Sequence, residues 1–236
     1  MQREIRPTAD GSHTIAIPGM DVTYHSHHGA IGESRHVFIE AGLNPILFSP
    51  ANSPIHILEI GFGTGLNALL TLQAALQQRQ AILFTAIELY PVTTEEIMQI
   101  NYGKILNNQE SFLAIHQAAW ETEVILNPYF SLLKKKQSLL TLQDIHDVNC
   151  IYFDAFSPTH QPELWTEDVF RNLYAMFTPG GTLVTYCSKS IVRKAMTAAG
   201  FTVEKIPGPW GKREMVRARR ELTDGGLVDS SNPLIR

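Results

Sequence analysis

The chain has 236 residues, 44% of them hydrophobic, and a formal net charge of −4 at pH 7. This length suits one large α/β domain with a buried core. No apolar run approaches the roughly 18–20 residues of a membrane helix, and Met1 to Arg6 lack the apolar core of a signal peptide. Two cysteines, Cys150 and Cys187, are too few for a disulfide framework or a zinc site. We therefore expect a cytoplasmic protein without a metal site or a membrane segment.

Residues 1–50 differ in composition from the rest of the chain. They are rich in turn residues and contain two β-like stretches, near Thr14–Ile17 and Val22–His25. We expect a β-rich N-terminal extension that packs near the mouth of a site. Its histidines lack helical spacing and a partner carboxylate, which favours a loop near the site over a metal centre; they are His25, His27, His28 and His36.

From residue 51 to 220 the pattern alternates between strand and helix, and the tail 221–236 is expected to fray. The predicted strands are His56–Ile60, Ala81–Glu88, Ser138–Leu142, Asn149–Ala155, Gly181–Cys187, Phe201–Ile206 and Glu214–Arg219. The predicted helices are Gly65–Gln78, Thr94–Ile105, Ser111–Trp120, Pro162–Met176 and Lys189–Ala199. The last two strands have no room for a helix between them, so they should pair antiparallel. Seven mostly parallel strands with such a terminal pair indicate the class I methyltransferase fold, because a dinucleotide-binding domain would continue with another parallel crossover.

A glycine-rich turn follows the first strand of this unit. Gly61, Gly63 and Gly65 let a ligand approach the backbone, and the helix that follows favours an anionic group at its N-terminus. Leu66 stands where a dinucleotide fingerprint has its third glycine, and Glu59 precedes the turn. These features predict an S-adenosylmethionine site, with Glu59 orienting the ammonium group. Asn67, which follows the turn, belongs to the same predicted cofactor-binding set.

Two further acidic residues are predicted to bind the cofactor. Glu88 ends the second strand, where nucleotide-binding folds place the acid that accepts from the ribose hydroxyls. Asp144 follows the predicted third strand, and that position suits recognition of the adenine amino group.

Asp154 ends the fourth strand beside the topological switch point, where a transferred methyl group would lie. It borders the cofactor and is the predicted catalytic residue, because a carboxylate there can hold an amine and accept its proton. Phe156 and Trp165 are predicted to form the wall of the acceptor pocket, although Trp165 can equally be a core aromatic residue.

The last third of the sequence is basic. Its cations face only Glu204 and Glu214, and they are interleaved with Tyr186, Phe201 and Trp210; they are Arg193, Lys194, Lys205, Lys212, Arg213, Arg217, Arg219 and Arg220. Such a surface suits an RNA loop with splayed bases, so Tyr186, Lys212 and Arg213 are predicted to contact substrate. The run Lys134–Lys136 is interpreted as an exposed turn.

An ordered series of motifs resembles the methyltransferase domain of the MnmC family over about residues 20 to 219. The motifs are Glu59 to Asn67 (EIGFGTGLN), Glu88, Asp154 to Pro158 (DAFSP), Pro162 to Thr166 (PELWT), Pro179 to Leu183 (PGGTL) and Lys212 to Met215 (KREM), together with Tyr24, Ser26, Gly29, Glu33 and Val37-Phe38. The resemblance implies methylation, by S-adenosylmethionine, of the aminomethyl group on 5-aminomethyl-2-thiouridine at the wobble position in the tRNA anticodon loop.

The resemblance also implies roles for individual residues. Gly61, Gly63, Gly65, Glu88 and Asp144 would bind the cofactor, Asp154 would sit at the amine, and Lys212 with Arg213 would face RNA or close the site. Many family members fuse this domain to a flavin-dependent oxidase that uncovers the amine. We expect a stand-alone methyltransferase that needs no flavin and relies on a separate upstream enzyme.

This chain departs from the family pattern in two places. Lys189 and Ser190 replace small residues, and Trp210 with Gly211 precede Lys212 where another basic residue is expected.

Two other functions stay open at this point. An aminopropyltransferase of the spermidine synthase type shares the fold and an amine nucleophile, but it would want further acids at a polyamine site. A non-catalytic RNA-binding module could also keep this fold. Loss of Asp154 or of the glycine turn would favour the second alternative, and both are present.

Overall fold

Two β-sheets form the framework of the protein in the computed structural model, which describes residues 2–47 and 54–222. The small N-terminal sheet is antiparallel and contains β1 (Glu4–Pro7), β2 (His13–Ile17) and β3 (Val22–Thr23). The central sheet has eight strands, which are β4 (Ile55–Ile60), β5 (Ile82–Ile87), β6 (Glu123–Asn127), β7 (Phe130–Lys135), β8 (Val148–Phe153), β9 (Phe177–Thr185), β10 (Thr202–Pro207) and β11 (Glu214–Arg219).

The central sheet confirms the predicted fold class. Its strand order is β10-β11-β9-β8-β4-β5-β7-β6. The five inner strands β7, β5, β4, β8 and β9 run parallel. β11 is antiparallel to both β9 and β10, as expected from the short connection between the last two strands. Hydrophobic clusters pack on this sheet, so the parallel strands are buried on both sides.

The predicted third strand, Ser138–Leu142, is wrong. That segment forms a 3₁₀ turn at Leu139–Thr141, because the Ser138 side chain accepts a hydrogen bond from the Leu140 N–H. The third parallel strand is β7, which lies one segment earlier and forms a hairpin with the additional edge strand β6. Buried and half-buried residues alternate strictly along β7. One of the buried positions is Lys134, so the sequence does not show the alternation of apolar and polar residues that predicts a strand.

Helices flank the sheet as expected, with one break. They are α1 (Ala30–Ser34), α2 (Asn44–Leu47), α3 (Leu66–Gln78), α4 (Thr94–Ile97), α5 (Tyr102–Ile105), α6 (Gln109–Gln117), α7 (Glu167–Met176) and α8 (Ser190–Ala198). The segment 94–105, predicted as one helix, is split into α4 and α5. A capping box at Thr93 and Glu96 begins the first piece. Pro162–Trp165 forms a 3₁₀ turn before α7, whose first turn is capped by Thr166.

The N-terminal segment is only partly β-rich. After the small sheet, α1, a π-helix at Arg35–Leu43 and α2 follow one another without a break. This helical stretch packs on the central sheet, where an added Cβ at Gly42 would lie 2.8 Å from Val184. The expected β-rich extension therefore ends before residue 30. Most of the predicted flexible tail, residues 223–236, lies outside the described residues.

Candidate active site

A cavity of about 320 Å³ opens at the carboxyl ends of the parallel strands. It lies where the chain leaves β4, β5 and β8, and β4 pairs with both of the others. Connections depart to opposite sides there, which is where α/β sheets bind ligands. The N-terminal segment supplies part of the wall through Arg3, Ile17, Met20, Tyr24 and His25.

The glycine turn forms the floor of this cavity. Gly61 and Gly63 line it, with φ angles of 92° and 50°. A Cβ on Gly61 would lie 2.8 Å from the Asp154 carbonyl oxygen, and one on Gly63 would lie 3.0 Å from the Tyr24 ring. Gly65 does not line the cavity. A Cβ on Gly65 would lie 2.8 Å from the His116 ring, which packs against this glycine. The turn thus offers bare backbone to a ligand at two glycines, and the third glycine allows close packing behind it.

Glu88, predicted to bind the ribose, lines the cavity at the rim of the glycine turn. Its Oε2 accepts from the Gly63 N–H at 3.1 Å, and its Oε1 accepts from the Tyr90 N–H at 2.8 Å. A carboxylate has about four acceptor sites, so both oxygens can still accept from hydroxyl groups in the cavity. These bonds hold the carboxylate in place before any ligand binds.

Behind the turn, two carboxyl groups share one amide. The Asn67 Nδ2 donates to Glu59 Oε1 at 2.8 Å and to Asp154 Oδ2 at 2.9 Å. Burial raises the pKa of Glu59 well above its ordinary value, and the nearby Asp154 charge adds to this effect. Glu59 has no exposed surface and does not line the cavity. Glu59 therefore meets the cavity only through Asn67, and its predicted role in binding the cofactor stays a prediction.

Asp154 lines the cavity directly after β8. Its backbone N–H donates to the Ile60 carbonyl at 2.9 Å, which fixes it beside the glycine turn. Burial raises the pKa of Asp154 well above its ordinary value, and the Glu33 carboxylate contributes in the same direction. A carboxyl group with a raised pKa is a better proton acceptor near neutral pH than an exposed aspartate.

The predicted aromatic wall is only partly present. Phe156 lines the cavity, and its ring meets the edge of Tyr24 with centroids 5.2 Å apart. Trp165 is 4% exposed and packs on Phe153 in the core, while its Nε1 donates to the Phe156 carbonyl at 2.8 Å. Trp165 therefore supports the wall from behind and is a core residue. It faces inward because α7 and its preceding turn pack their apolar side on β8.

Tyr186 and Lys212 lie next to the cavity lining without belonging to it. The Tyr186 hydroxyl donates to the Ala155 carbonyl at 2.9 Å. The Lys212 ammonium lies 4.1 Å from the Tyr186 ring centre and forms an ion pair with Glu33 at 2.6 Å. Arg213 is exposed and, within the described part of the chain, has no salt-bridge partner. Of the two predicted RNA-facing cations, Arg213 is thus the more available one.

Three of the other six basic residues of the last third form ion pairs in the described part of the chain. Glu204 pairs with Arg217 and Arg219, and Glu214 pairs with Lys205 at 2.8 Å. These pairs reduce the net positive charge of this surface.

Asp144, predicted to recognise adenine, does not line the cavity. It follows the 3₁₀ turn with a φ of 61° and is absent from the cavity wall, because the strand that should have carried it there is β7. The residues after β7 take this place, since Gln137, Ser138, Leu139 and Leu140 line the cavity. The buried Gln137 Nε2 has no hydrogen-bond partner among the described residues.

The N-terminal wall includes residues that motif reasoning did not assign to the site. Arg3 donates to the Tyr90 carbonyl at 2.7 Å and lies over the Tyr24 ring. His25 is buried and hydrogen-bonds Thr64 Oγ1 at 2.9 Å, and burial lowers its pKa to about 4. Tyr24 belongs to the MnmC-like lead-in, which was the one available signal. Among residues 2–47 and 54–222, no three metal-binding side chains cluster.

Lys134 corrects the prediction of an exposed turn. It is 1% exposed, and its ammonium group donates to the carbonyls of Ile115 and His116, both at 2.9 Å. These carbonyls end α6, so the cation caps the negative end of that helix. His116 in turn hydrogen-bonds the Thr64 carbonyl at 3.1 Å. The buried lysine thus supports the back of the glycine turn.

In the described part of the chain, no helix is long and apolar enough to cross a membrane.

Comparison with known proteins relates this site to methyl transfer. The chain is 35% identical over 216 residues to the tRNA 5-methylaminomethyl-2-thiouridine biosynthesis bifunctional protein MnmC of Leptospira borgpetersenii, covering 84% of this chain and 32% of that protein. It is 31% identical over 228 residues to MnmC of Cupriavidus metallidurans, covering 90% and 33%. The chain thus spans about a third of the length of these relatives.

Solved structures agree on the fold. MnmC2 from Aquifex aeolicus superposes with a TM-score of 0.77 at 26% identity, covering 94% of this chain and 72% of that one. Spermidine synthase from Thermotoga maritima superposes with a TM-score of 0.54 at 13% identity, covering 92% and 68%. The second likeness shows a common fold alone.

A family model described as S-adenosyl-L-methionine-dependent methyltransferase matches residues 93–221. This match covers more than half of the chain and includes the strand that leads to Asp154. The chain therefore belongs to this family of S-adenosyl-L-methionine-dependent methyltransferases.

Proposed function

We propose that this protein methylates the aminomethyl group of 5-aminomethyl-2-thiouridine at the wobble position of tRNA, with S-adenosylmethionine as methyl donor. The observation that carries the proposal is Asp154, a carboxylate that lines the cavity beside the glycine turn. The similarity to MnmC proteins supports the choice of acceptor. An upstream enzymatic activity would generate the amine.

The cavity fits the parts of this cofactor. The backbone at Gly61 and Gly63 lies open, and any side chain there would collide with the cavity wall. Glu88 would accept from the ribose hydroxyls, as its position at the end of β5 suggests. We assign the adenine to the Gln137–Leu140 side, because the Gln137 amide is a buried donor without a partner and adenine presents ring-nitrogen acceptors.

The reaction needs an amine with a free electron pair. When bound, the cofactor supplies an electrophilic methyl group on its sulfonium sulfur. Asp154 would accept the proton that the substrate nitrogen loses, while the nitrogen forms its bond to the methyl carbon and the carbon–sulfur bond breaks. The raised pKa of Asp154 suits this step. Phe156 and Tyr24 would exclude water from one side of the acceptor.

Asn67 and Glu59 would position the base. The Asn67 amide donates to both carboxyl groups. Glu59 is fully buried and its pKa is raised, which favours its protonated form. The shared amide fixes the direction of the Asp154 carboxyl group.

The alternative aminopropyltransferase rests on the fold alone. A polyamine site needs several carboxylates in its wall, whereas Glu88, Asp154 and Glu163 are the acids of the described cavity lining. Glu88 is held by the glycine turn. This leaves Asp154 and Glu163 for a polyamine, and the likeness to spermidine synthase adds nothing beyond the fold.

A reconstitution experiment tests the proposal. Purified protein would be incubated with S-adenosylmethionine and tRNA from cells that lack this methylation step, and digested nucleosides would be analysed by mass spectrometry. We expect 5-aminomethyl-2-thiouridine to be converted to its methylamino form. Parallel incubations with putrescine and decarboxylated cofactor should give no spermidine. Unchanged aminomethyl nucleoside with an active control methyltransferase would refute the assignment.

A further inference from the structure

The loop between β10 and β11 presents an exposed tryptophan. Trp210 is 88% exposed, more than any other large hydrophobic residue in the described part of the chain. Isolated exposed apolar residues are common, but an exposed indole leaves a large apolar surface area in contact with water. A tryptophan at a loop tip, outside both hydrophobic clusters, therefore invites a functional explanation.

The loop around Trp210 is held by contacts on both sides. The Lys212 N–H donates to the Pro209 carbonyl at 2.9 Å, and the Gly208 N–H donates to the Arg213 carbonyl at 3.2 Å. The N-terminal segment adds two contacts. His36 hydrogen-bonds the Pro207 carbonyl at 2.9 Å, and the His28 ring fills the space beside Gly211, which has a φ of 86°. The indole is thus presented by an ordered turn, which lowers the entropic cost of binding.

The loop also connects to the proposed acceptor site. Lys212, two residues after Trp210, lies over the Tyr186 ring at 4.1 Å. The Tyr186 hydroxyl donates to the carbonyl of Ala155, the residue after Asp154. One tyrosine and one lysine therefore separate the loop from the proposed base.

The charges at the loop favour an anionic partner. Arg213 is exposed and has no salt bridge among the described residues, and Lys212 carries the only other formal charge between Pro207 and Glu214. An exposed aromatic ring and an exposed guanidinium in one loop suit a single-stranded nucleic acid, in which a base stacks and a phosphate pairs. A protein partner would be expected to need a larger apolar patch than one indole.

We propose that Trp210 is a stacking platform for an unpaired base of the RNA substrate, with Arg213 contacting the adjoining phosphate. This proposal rests on the proposed function in taking RNA as the substrate. The stacked base would be a neighbour of the nucleotide that enters the cavity, because Trp210 lies outside the cavity wall.

The test measures binding of a 5′-labelled RNA anticodon stem-loop to the full-length protein in the presence of S-adenosylhomocysteine. Stacking on an aromatic side chain typically stabilises binding of a base by about 1–3 kcal/mol. Trp210→Ala should therefore raise the dissociation constant by about 5- to 150-fold. Trp210→Phe should stay within about fivefold of the wild type, because it keeps an aromatic face. Ile125→Ala is the matched control, since Ile125 is 74% exposed on β6 at the opposite edge of the sheet.

Tryptophan fluorescence gives a second readout of the same contact. The protein has three tryptophans, and Trp165 is buried while Trp120 is partly buried. RNA should therefore quench the component that Trp210→Phe removes. Equal affinity of Trp210→Ala and the wild type, or absence of this quenching at saturating RNA, would overturn the platform.

The platform and the proposed function fail in different ways. If the wild type methylates the aminomethyl nucleoside while Trp210→Ala binds RNA normally, the platform is wrong and the function stands. If the wild type binds the stem-loop through Trp210 but transfers no methyl group, the platform stands and the proposed reaction is wrong. Unaltered melting temperature and S-adenosylhomocysteine affinity in Trp210→Ala would show that the fold is intact.

Discussion

Replacing Asp154 with asparagine removes the proposed base while changing little else. Asparagine has nearly the same volume, and its carbonyl oxygen can still accept from the Asn67 amide, which lies 2.9 Å from Asp154 Oδ2. The backbone bond to Ile60 is also retained. The variant therefore keeps the cavity wall and the hydrogen-bond network but cannot accept a proton from the substrate.

The expected loss follows from what a positioned base contributes. General-base catalysis typically accelerates a reaction by about 10²–10⁴-fold, so the methyl-transfer rate of Asp154→Asn should fall by about that factor. Binding of S-adenosylhomocysteine should change by less than about threefold, because Gly61, Gly63 and Glu88 are untouched. A loss in the rate alone, and not in cofactor affinity, distinguishes a base from a cofactor ligand.

Single-turnover rates across about pH 6 to 9 provide the assay. The base works as the carboxylate, so the wild-type rate should rise with pH as Asp154 loses its proton. Because burial raises the pKa of Asp154, this rise should lie closer to neutral pH than for an exposed aspartate. The pH profile of Asp154→Asn should lack this rise and should show only the ionisation of the substrate amine. A rate within about threefold of the wild type, or an unchanged pH profile, would refute the assignment.

Three further predictions test the surroundings of the site. Glu88→Gln should weaken S-adenosylhomocysteine binding by about 10- to 100-fold in calorimetry, because the variant loses the charged acceptor. A glutamine amide also has a single oxygen for the two N–H groups of Gly63 and Tyr90. An unchanged affinity would exclude Glu88 from the ribose site. The melting temperature of Glu59→Gln, measured relative to that of the wild type, should increase as pH rises from about 5 to 8. The folded state favours protonated Glu59, so wild-type stability falls as pH rises through the raised pKa; a constant difference between the two melting temperatures would contradict this reasoning. Lys134→Met should lower the free energy of unfolding in urea by about 1–3 kcal/mol, since two buried carbonyls lose their donor, whereas Lys136→Met on the exposed surface should change it by less than about 0.5 kcal/mol.

The parts of the site that depend on local sequence were predictable. The glycine turn, Glu88 and Asp154 each follow directly after a buried strand, and parallel strands bring their carboxyl ends to one edge of a sheet. Local chemistry therefore placed these residues at the cavity without any knowledge of distant contacts. The antiparallel terminal pair was predictable for a similar reason, because a short connection leaves no room for a crossover.

The errors arose where distant contacts decide the outcome. Lys134 looked exposed because its partners, the carbonyls that end α6, lie 18 and 19 residues away. Taking it as polar surface hid β7 and moved the third strand to Ser138–Leu142, so the sequence predicted Asp144, and not Gln137, in the cavity lining. The sequence also does not show that Glu59 is buried behind Asn67, whose amide contacts both acids.

The ion pair between Lys212 and Glu33 joins residues 179 positions apart in the chain. The cofactor side is built differently, since β4, the glycine turn and α3 are contiguous in sequence. Long-range contacts form late because the loop between them must close first. The glycine turn can therefore form from one βα unit, whereas the Lys212–Glu33 contact exists only after distant parts of the described chain have met. Fragments of this protein that lack either Glu33 or Lys212 would thus be expected to keep the glycine turn but to lose this contact beside the proposed acceptor side.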